Sequence, residues 1–240
     1  MASYVISDIH GELDLFEELL DKTGLKDSDT LYILGDVVDR GPHPVKMLQR
    51  LMSMPNAVCL AGNHELMALE CLDYLCREIT EQSAAAFDAR MIRNLAAWQM
   101  NGSGSTIKEF RELSPEDRSE LTEYMRDFLI YEELKAGGQD YLLVHSGPSN
   151  FSADKDIEDY TLKELVWDRA DLGVRYWDDI LVVNGHTPTQ SIEENPGPGF
   201  IYRTDGHVLI DCGACFPGGR LAALCLDSGE EFYSRTNDRE

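Results

Sequence analysis

Apolar residues recur along this chain with two different periods, and the alternation between them lays out a fold. Short apolar runs at Tyr4-Val5-Ile6-Ser7, Leu31-Tyr32-Ile33-Leu34 and Ala57-Val58-Cys59-Leu60-Ala61 read as buried strands. Between them, Glu12 to Lys22 sets Leu13, Phe16, Leu19 and Leu20 at helical spacing and stops at Gly24. Pro44 to Met52 does the same with Val45, Leu48, Leu51 and Met52. Strands and helices in this order predict a β-α-β-α-β half with three parallel strands.

From Leu66 to Leu134 the spacing is helical throughout, broken at Asn101-Gly102-Ser103-Gly104-Ser105 and at Leu113-Ser114-Pro115. Ser114, Pro115 and Asp117 make a helix start. The block is too long for a simple crossover, so we read it as a helical cap inserted at about 66–135 of one domain spanning 1–240. Gly102 to Ser105 fits a flexible loop or a substrate contact equally well. The remainder is strand-rich: Tyr141–Val144, Ile180–Val183, Ile201–Thr204, Val208–Ile210, Leu221–Leu226 and Glu231–Tyr233. Asp205-Gly206 and, more weakly, Ser228-Gly229 are hairpin turns, which predicts antiparallel pairing and a second, mixed sheet. The polar end from Thr236 to Glu240 reads as disordered.

Composition narrows the possible partners. With 44 acidic and 21 basic residues the chain carries a formal charge of −23, which disfavours nucleic acid and anionic membrane surfaces. The chain enters a core strand at once, without a basic leader or a long apolar segment, so the expected location is cytoplasmic. Its six cysteines read as reduced thiols, mostly buried; Cys212-Gly-Ala-Cys215 lacks the second pair that a zinc site needs.

Chemistry gathers where the first three strands end. Asp8-Ile9-His10, Gly35-Asp36-Val37-Val38-Asp39-Arg40-Gly41 and Gly62-Asn63-His64-Glu65 each follow an apolar run directly, where open α/β sheets hold their ligands. Any one of these could be an ordinary turn; three in this order at similar spacing form a specific signal. Four of the six histidines, His10, His64, His145 and His186, fall in such motifs, while His43 and His207 read as surface or turn residues. With Asp8, Asp36 and Asn63 they make a nitrogen and oxygen set suited to Mn²⁺, Fe or Zn²⁺, and too rich in imidazole for Ca²⁺.

These motifs resemble those of the calcineurin-like metallophosphoesterases, nearest to the bacterial and phage lambda-type members of the phosphoprotein phosphatase family. Val144-His145-Ser146-Gly147 resembles the family's His-x-Gly, Asn184-Gly185-His186-Thr187-Pro188 its Gly-His-Thr, and Ile210-Asp211-Cys212-Gly213 its Asp-x-Gly. Trp167-Asp168-Arg169 resembles its Trp-x-Arg. Ser7 and Ser146 stand where the family usually has Gly and Ala.

The resemblance implies an αββα four-layer sandwich of two mixed sheets with a helical cap. It also implies two divalent cations, Mn²⁺ first, with Asp8, His10 and Asp36 on one and Asp36, Asn63, His145 and His186 on the other. A hydroxide between the metals would be the nucleophile. Arg40 and Arg169 would clamp the phosphoryl oxygens. His64, oriented by Asp39, would act as general acid. Asp211 is a candidate to orient His186 or Arg40, and Glu65 to cap the helix after Asn63. The leading expectation is a serine/threonine protein phosphatase acting on a phosphorylated protein or peptide. The alternative is a phosphoanhydride hydrolase similar to the symmetrical diadenosine tetraphosphatases, and a third reading is a binding module that has lost catalysis.

Overall fold

The computed structural model describes residues 1–75 and 89–239, and among these residues two five-stranded sheets lie face to face. In the first, β1 (Ser3–Ile6), β2 (Thr30–Ile33) and β3 (Ala57–Cys59) run parallel, as their β-α-β spacing requires. The second holds β4 (Tyr131–Ala136), β5 (Gln139–Val144), β6 (Ile180–Asn184), β7 (Tyr202–Arg203) and β8 (His207–Leu209), in the order β4-β5-β6-β8-β7. Its central strands β5, β6 and β8 are parallel and its edges antiparallel. The hairpin of β9 (Ala222–Cys225) and β10 (Glu231–Tyr233) returns to the first sheet beside β1 rather than extending the second.

Three apolar layers hold this arrangement. Val5, Leu34, Leu60, Leu143, Val183 and Val208 meet between the sheets. On the outer face of the first sheet, Ile6 and Ile33 pack with residues of six helices. These are α1 (Leu13–Thr23), α2 (Pro44–Met52), α3 (Asn63–Leu75), α4 (Ala89–Met100), α5 (Gly104–Arg111) and α6 (Pro115–Arg126). Phe16, Leu48, Leu72, Trp98, Phe110 and Met125 are their contributions. On the outer face of the second sheet, Leu142, Val144 and Val182 pack against Leu165 and Val166 of α7 (Leu162–Val166). Each such fully buried side chain contributes roughly 1.5–3 kcal/mol, and the four-layer αββα sandwich covers both faces of each sheet.

Helix boundaries follow local chemistry. Gly24 ends α1 in the left-handed conformation, its N–H bonded to the Leu20 carbonyl, and Pro44 opens α2. The Ser114 hydroxyl accepts the Asp117 N–H at the start of α6.

Four expectations need correction. The helical block ends before Tyr131, because Tyr131–Ala136 pairs with β5 along its whole length as the edge strand β4. His207 is fully buried on β8, where its Nε2 lies 3.0 Å from the Val174 carbonyl and its ring meets Tyr176 edge-on. The C-terminal end is tied down through Asn237, which donates to the Ala214 carbonyl at 2.8 Å. The glycine-rich break is part of a turn and a helix, since α5 starts at Gly104.

Cys59, Cys71, Cys212 and Cys225 are buried free thiols and Cys215 is half-buried, while Cys76 lies outside the described residues. Burial pushes the Cys59 and Cys215 thiols up to about 12, so neither is poised to react. Among the described residues no helix is long and apolar enough to cross a membrane.

Candidate metal centre

The ends of β1, β2, β3, β5 and β6 converge at one edge of the sandwich, and the loops that leave them are knit together. Asp8 N–H bonds Gly35 O at 3.2 Å, His10 N–H bonds Asp36 O at 2.8 Å, and Gly185 N–H bonds His145 O at 2.9 Å. Among the described residues seven non-glycine residues have positive φ, and six of them are Asp8, His10, Asp36, Asp39, Arg40 and His186. Such backbone costs roughly 1–3 kcal/mol per residue and persists where its surroundings impose it. The glycines of the motifs admit close approach: a Cβ at Gly62 would overlap Asp36 Oδ1, and one at Gly185 would overlap Ser7 Oγ and Asp8 Oδ2.

Asp36 lies at the middle of the cluster. Its Oδ2 is 3.6 Å from His10 Nε2 and 3.8 Å from His64 Nε2, while its Oδ1 is 3.4 Å from His145 Nε2. Two sets of donor atoms therefore share this carboxylate, His10 with His64 on one side and His145 with His186 on the other. His10 Nδ1 faces the Val38 carbonyl at 2.8 Å and His145 Nδ1 the Leu34 carbonyl at 2.6 Å. Donation to those carbonyls fixes each tautomer and leaves an Nε2 lone pair turned toward Asp36. Asn63 Oδ1 is 3.1 Å from His145 Nε2. The Asp8 Oδ2 accepts the Ser7 hydroxyl and, at 2.9 Å, the His186 backbone N–H, which holds it beside His186 and near Asp36, within reach of both groups.

The electrostatics separate these groups. Burial works against the charge of Asp36, but the surrounding histidines His145, His64, His10 and His186 hold its carboxyl far below the usual range. Burial pushes His10 well down, and burial with the neighbouring His145 takes His186 to about 4. An ionised carboxylate beside the neutral imidazoles of His10 and His186 offers the lone pairs a divalent cation needs, so the residues present fit that group. Burial, then the nearby Asp36, lifts Asp8 to about 6. His64 goes the other way from its neighbours: burial opposes its charge, but Asp36 and the hydrogen bond to Asp39 outweigh burial and raise it.

Asp39 is fully buried and held by more than His64. Its Oδ2 takes His64 Nδ1–H and Trp98 Nε1–H, both at 2.7 Å, and its Oδ1 takes the Thr106 hydroxyl at 2.5 Å. Trp98 and Thr106 come from the helical block, and the Gly102 carbonyl accepts the Arg40 N–H at 2.9 Å. Arg40 donates to His10 Nε2 at 2.8 Å and to His64 Nε2 at 2.9 Å. Arg169 is exposed and close enough to His186 to oppose its protonation. Asp211 is buried nearby and accepts the Gly213 N–H at 2.9 Å; no hydrogen bond from it to His186 or Arg40 is present among the described residues.

Sequence reasoning missed two sets of supporting residues. Glu65, read only as a helix cap, takes four backbone N–H groups. Its Oε2 accepts Asp36 N and Gly62 N at 2.8 and 2.9 Å, and its Oε1 accepts Val37 N and Val38 N at 2.8 and 3.1 Å. Trp98 was marked only by Trp98…Asn101-Gly102, which resembles a stretch of the lambda-type enzymes and gave it no role, and Thr106 carried no signal.

A two-sheet sandwich with an imidazole–carboxylate cluster at its strand ends fits a metal-dependent hydrolase. The pattern of the calcineurin-like phosphoesterases matches residues 1–211, and the chain belongs to that family. Among curated relatives, it is 36% identical over 149 residues to the symmetrical bis(5'-nucleosyl)-tetraphosphatase of Acidovorax ebreus, covering 61% of this chain and 44% of that one. The match thus spans less than half of that relative's length. The asymmetrical bis(5'-nucleosyl)-tetraphosphatase of Halalkalibacterium halodurans is 27% identical over 92% of this chain and 88% of its own. The crystal structure of a candidate diadenosine tetraphosphatase superposes with a TM-score of 0.68 at 16% identity, over 99% of this chain and 95% of that one. These relatives overturn the expected partner, a phosphorylated protein or peptide, because both curated enzymes are named for a small nucleotide.

Proposed function

We propose that this protein hydrolyses a phosphoanhydride bond of a dinucleoside polyphosphate, of the bis(5'-nucleosyl) tetraphosphate kind. The observation that carries the chemistry is the single carboxylate, Asp36, shared by two imidazole groups. The names of the curated relatives support the substrate.

In this reading His10 and Asp36, with Asp8 beside them, hold one cation, and Asp36, Asn63, His145 and His186 hold the other, with Mn²⁺ as the first candidate. When bound, two such cations lower the pKa of a water and draw charge from the phosphoryl oxygens. Asp39 keeps the His64 proton on Nδ1 and Nε2 aimed into the site, so a second proton on Nε2 can pass to the departing oxygen. The raised pKa of His64 suits that role, and the depressed values of His10 and His186 suit ligands. Arg40 and Arg169 offer planar donors to the phosphoryl oxygens and local positive charge in a chain whose formal charge is −23. The helical block, which ends before Tyr131, acts as a cap that fixes Asp39 through Trp98 and Thr106 and the Arg40 backbone through Gly102.

Product analysis tests the reading. Diadenosine tetraphosphate incubated with the Mn²⁺-loaded protein should give ADP alone for central cleavage, or AMP with ATP for asymmetric cleavage. Neither pattern appearing, while a phosphoserine peptide is hydrolysed, would overturn it.

A further inference from the structure

Outside the metal-centred cluster, a pocket of about 620 Å³ opens between α3 and the segment from α7 to Trp167. Leu66, Met67, Leu69, Leu162 and Trp167 form its walls, with Glu70, Lys163 and Asp168 at the rim. We infer that this pocket is the subsite for one base of the dinucleotide, a purine laid against the Trp167 indole. The inference rests on the function proposed above and adds the part of the site that recognises a nucleoside.

Three observations favour this occupant. Both walls of the pocket belong to segments that also carry or touch residues of the candidate metal centre. α3 begins with Asn63 and His64, and at 1.5 Å per residue Glu70 lies only about 10 Å further along the same helix. On the opposite wall, the Trp167 carbonyl is hydrogen-bonded by His186, and the Asp168 carbonyl accepts the Ser146 hydroxyl at 2.9 Å. The exposed Arg169 follows directly, so a polyphosphate reaching from the cluster to the pocket passes a guanidinium.

The walls suit a flat ring. Trp167 and Leu162 are 39% and 44% exposed, large apolar groups turned to solvent without a covering layer among the described residues. A volume of this size accommodates a nucleoside, whereas a single peptide side chain would leave most of it empty.

Two of the three rim charges pair with each other, and the Glu70 carboxylate is held by a neutral amide. Lys163 Nζ donates to both Asp168 oxygens at 2.7 and 2.8 Å, and Glu70 accepts from Asn94 at 2.9 Å. What remains for a ligand is the apolar face, which recognises a base by stacking.

The test compares diadenosine tetraphosphate with the same bis-ribosyl tetraphosphate lacking bases, using the full-length Mn²⁺-loaded protein. Stacking of one base predicts a wild-type preference in kcat/KM of at least about tenfold for the dinucleotide. Trp167→Ala and, independently, Leu69→Glu should reduce that preference to below about threefold, whereas Trp167→Phe, which keeps a flat ring, should retain most of it. Circular dichroism and metal content check that the variants fold. A preference unchanged in both disruptive variants overturns the subsite while leaving the proposed function standing. No hydrolysis of the dinucleotide by the wild type fails the function itself, and the subsite with it.

Discussion

Replacing Glu65 by Gln isolates the support beneath Asp36. The carboxylate oxygens of Glu65 each receive two backbone N–H groups, and those of Asp36, Val37 and Val38 set the loop that carries the shared carboxylate. Whichever way a glutamine amide is turned, its NH₂ faces two of these donors, so two bonds are lost and two buried N–H groups are orphaned. Bonds to a charged acceptor are worth about 1.5–3 kcal/mol each, a gross loss of roughly 3–6 kcal/mol. Part returns, because burial and the nearby Asp36 already penalise the Glu65 charge and lift its carboxyl to about 7. A net cost of at least about 1 kcal/mol remains, appreciable beside a total stability of about 5–15 kcal/mol. Urea unfolding of the metal-free protein measures it directly, and calorimetric titration with Mn²⁺ should show weakened binding. A loss below about 1 kcal/mol with unchanged Mn²⁺ affinity would refute the clamp.

Trp98→Phe should keep the packing of α4 but remove one donor to Asp39, lowering kcat about tenfold with KM little changed, because Asp39 acts through His64. A KM effect alone would dissociate the helical block from proton transfer. Arg169→Ala removes an exposed side chain, so stability should stay within about 0.5 kcal/mol while kcat/KM for the dinucleotide falls. Wild-type kinetics from that variant would take Arg169 out of the site. Burial lowers the pKa of His207 below its unfolded value near 6.5, so the unfolded chain binds the extra proton first as pH falls. Its share of stability is intact above about pH 6.5 and declines below it, by at most about 1.4 kcal/mol per pH unit. Urea unfolding of chelator-treated protein at pH 7.5 and 5.5 should show a smaller pH dependence for His207→Phe; equal slopes would rule out the buried neutral ring.

The parallel half was legible because each of β1 to β3 is a continuous apolar run that ends in a glycine, aspartate or asparagine, and both connecting helices carry their own stop or start residues. β4 was not, because Tyr131-Glu132-Glu133-Leu134-Lys135-Ala136 consists largely of good helix formers, and pairing with β5 overrides that preference. His207 follows the Asp205-Gly206 turn, which pointed to the surface, yet the second sheet and Tyr176 close over it. The donor residues were visible as motifs. The residues that aim them, Glu65, Trp98 and Thr106, act through backbone amides and distant hydrogen bonds that no local spacing records. Substrate lay further out of reach, since the motifs act on a phosphoryl group common to every phosphate ester and anhydride.

The most direct test is kcat/KM for diadenosine tetraphosphate and for a phosphoserine peptide, measured side by side with Mn²⁺ and again after chelation. The account predicts that the dinucleotide is the better substrate, that chelation abolishes both activities, and that Mn²⁺ restores them. A clear preference for the peptide, or full activity in the metal-free protein, would contradict it.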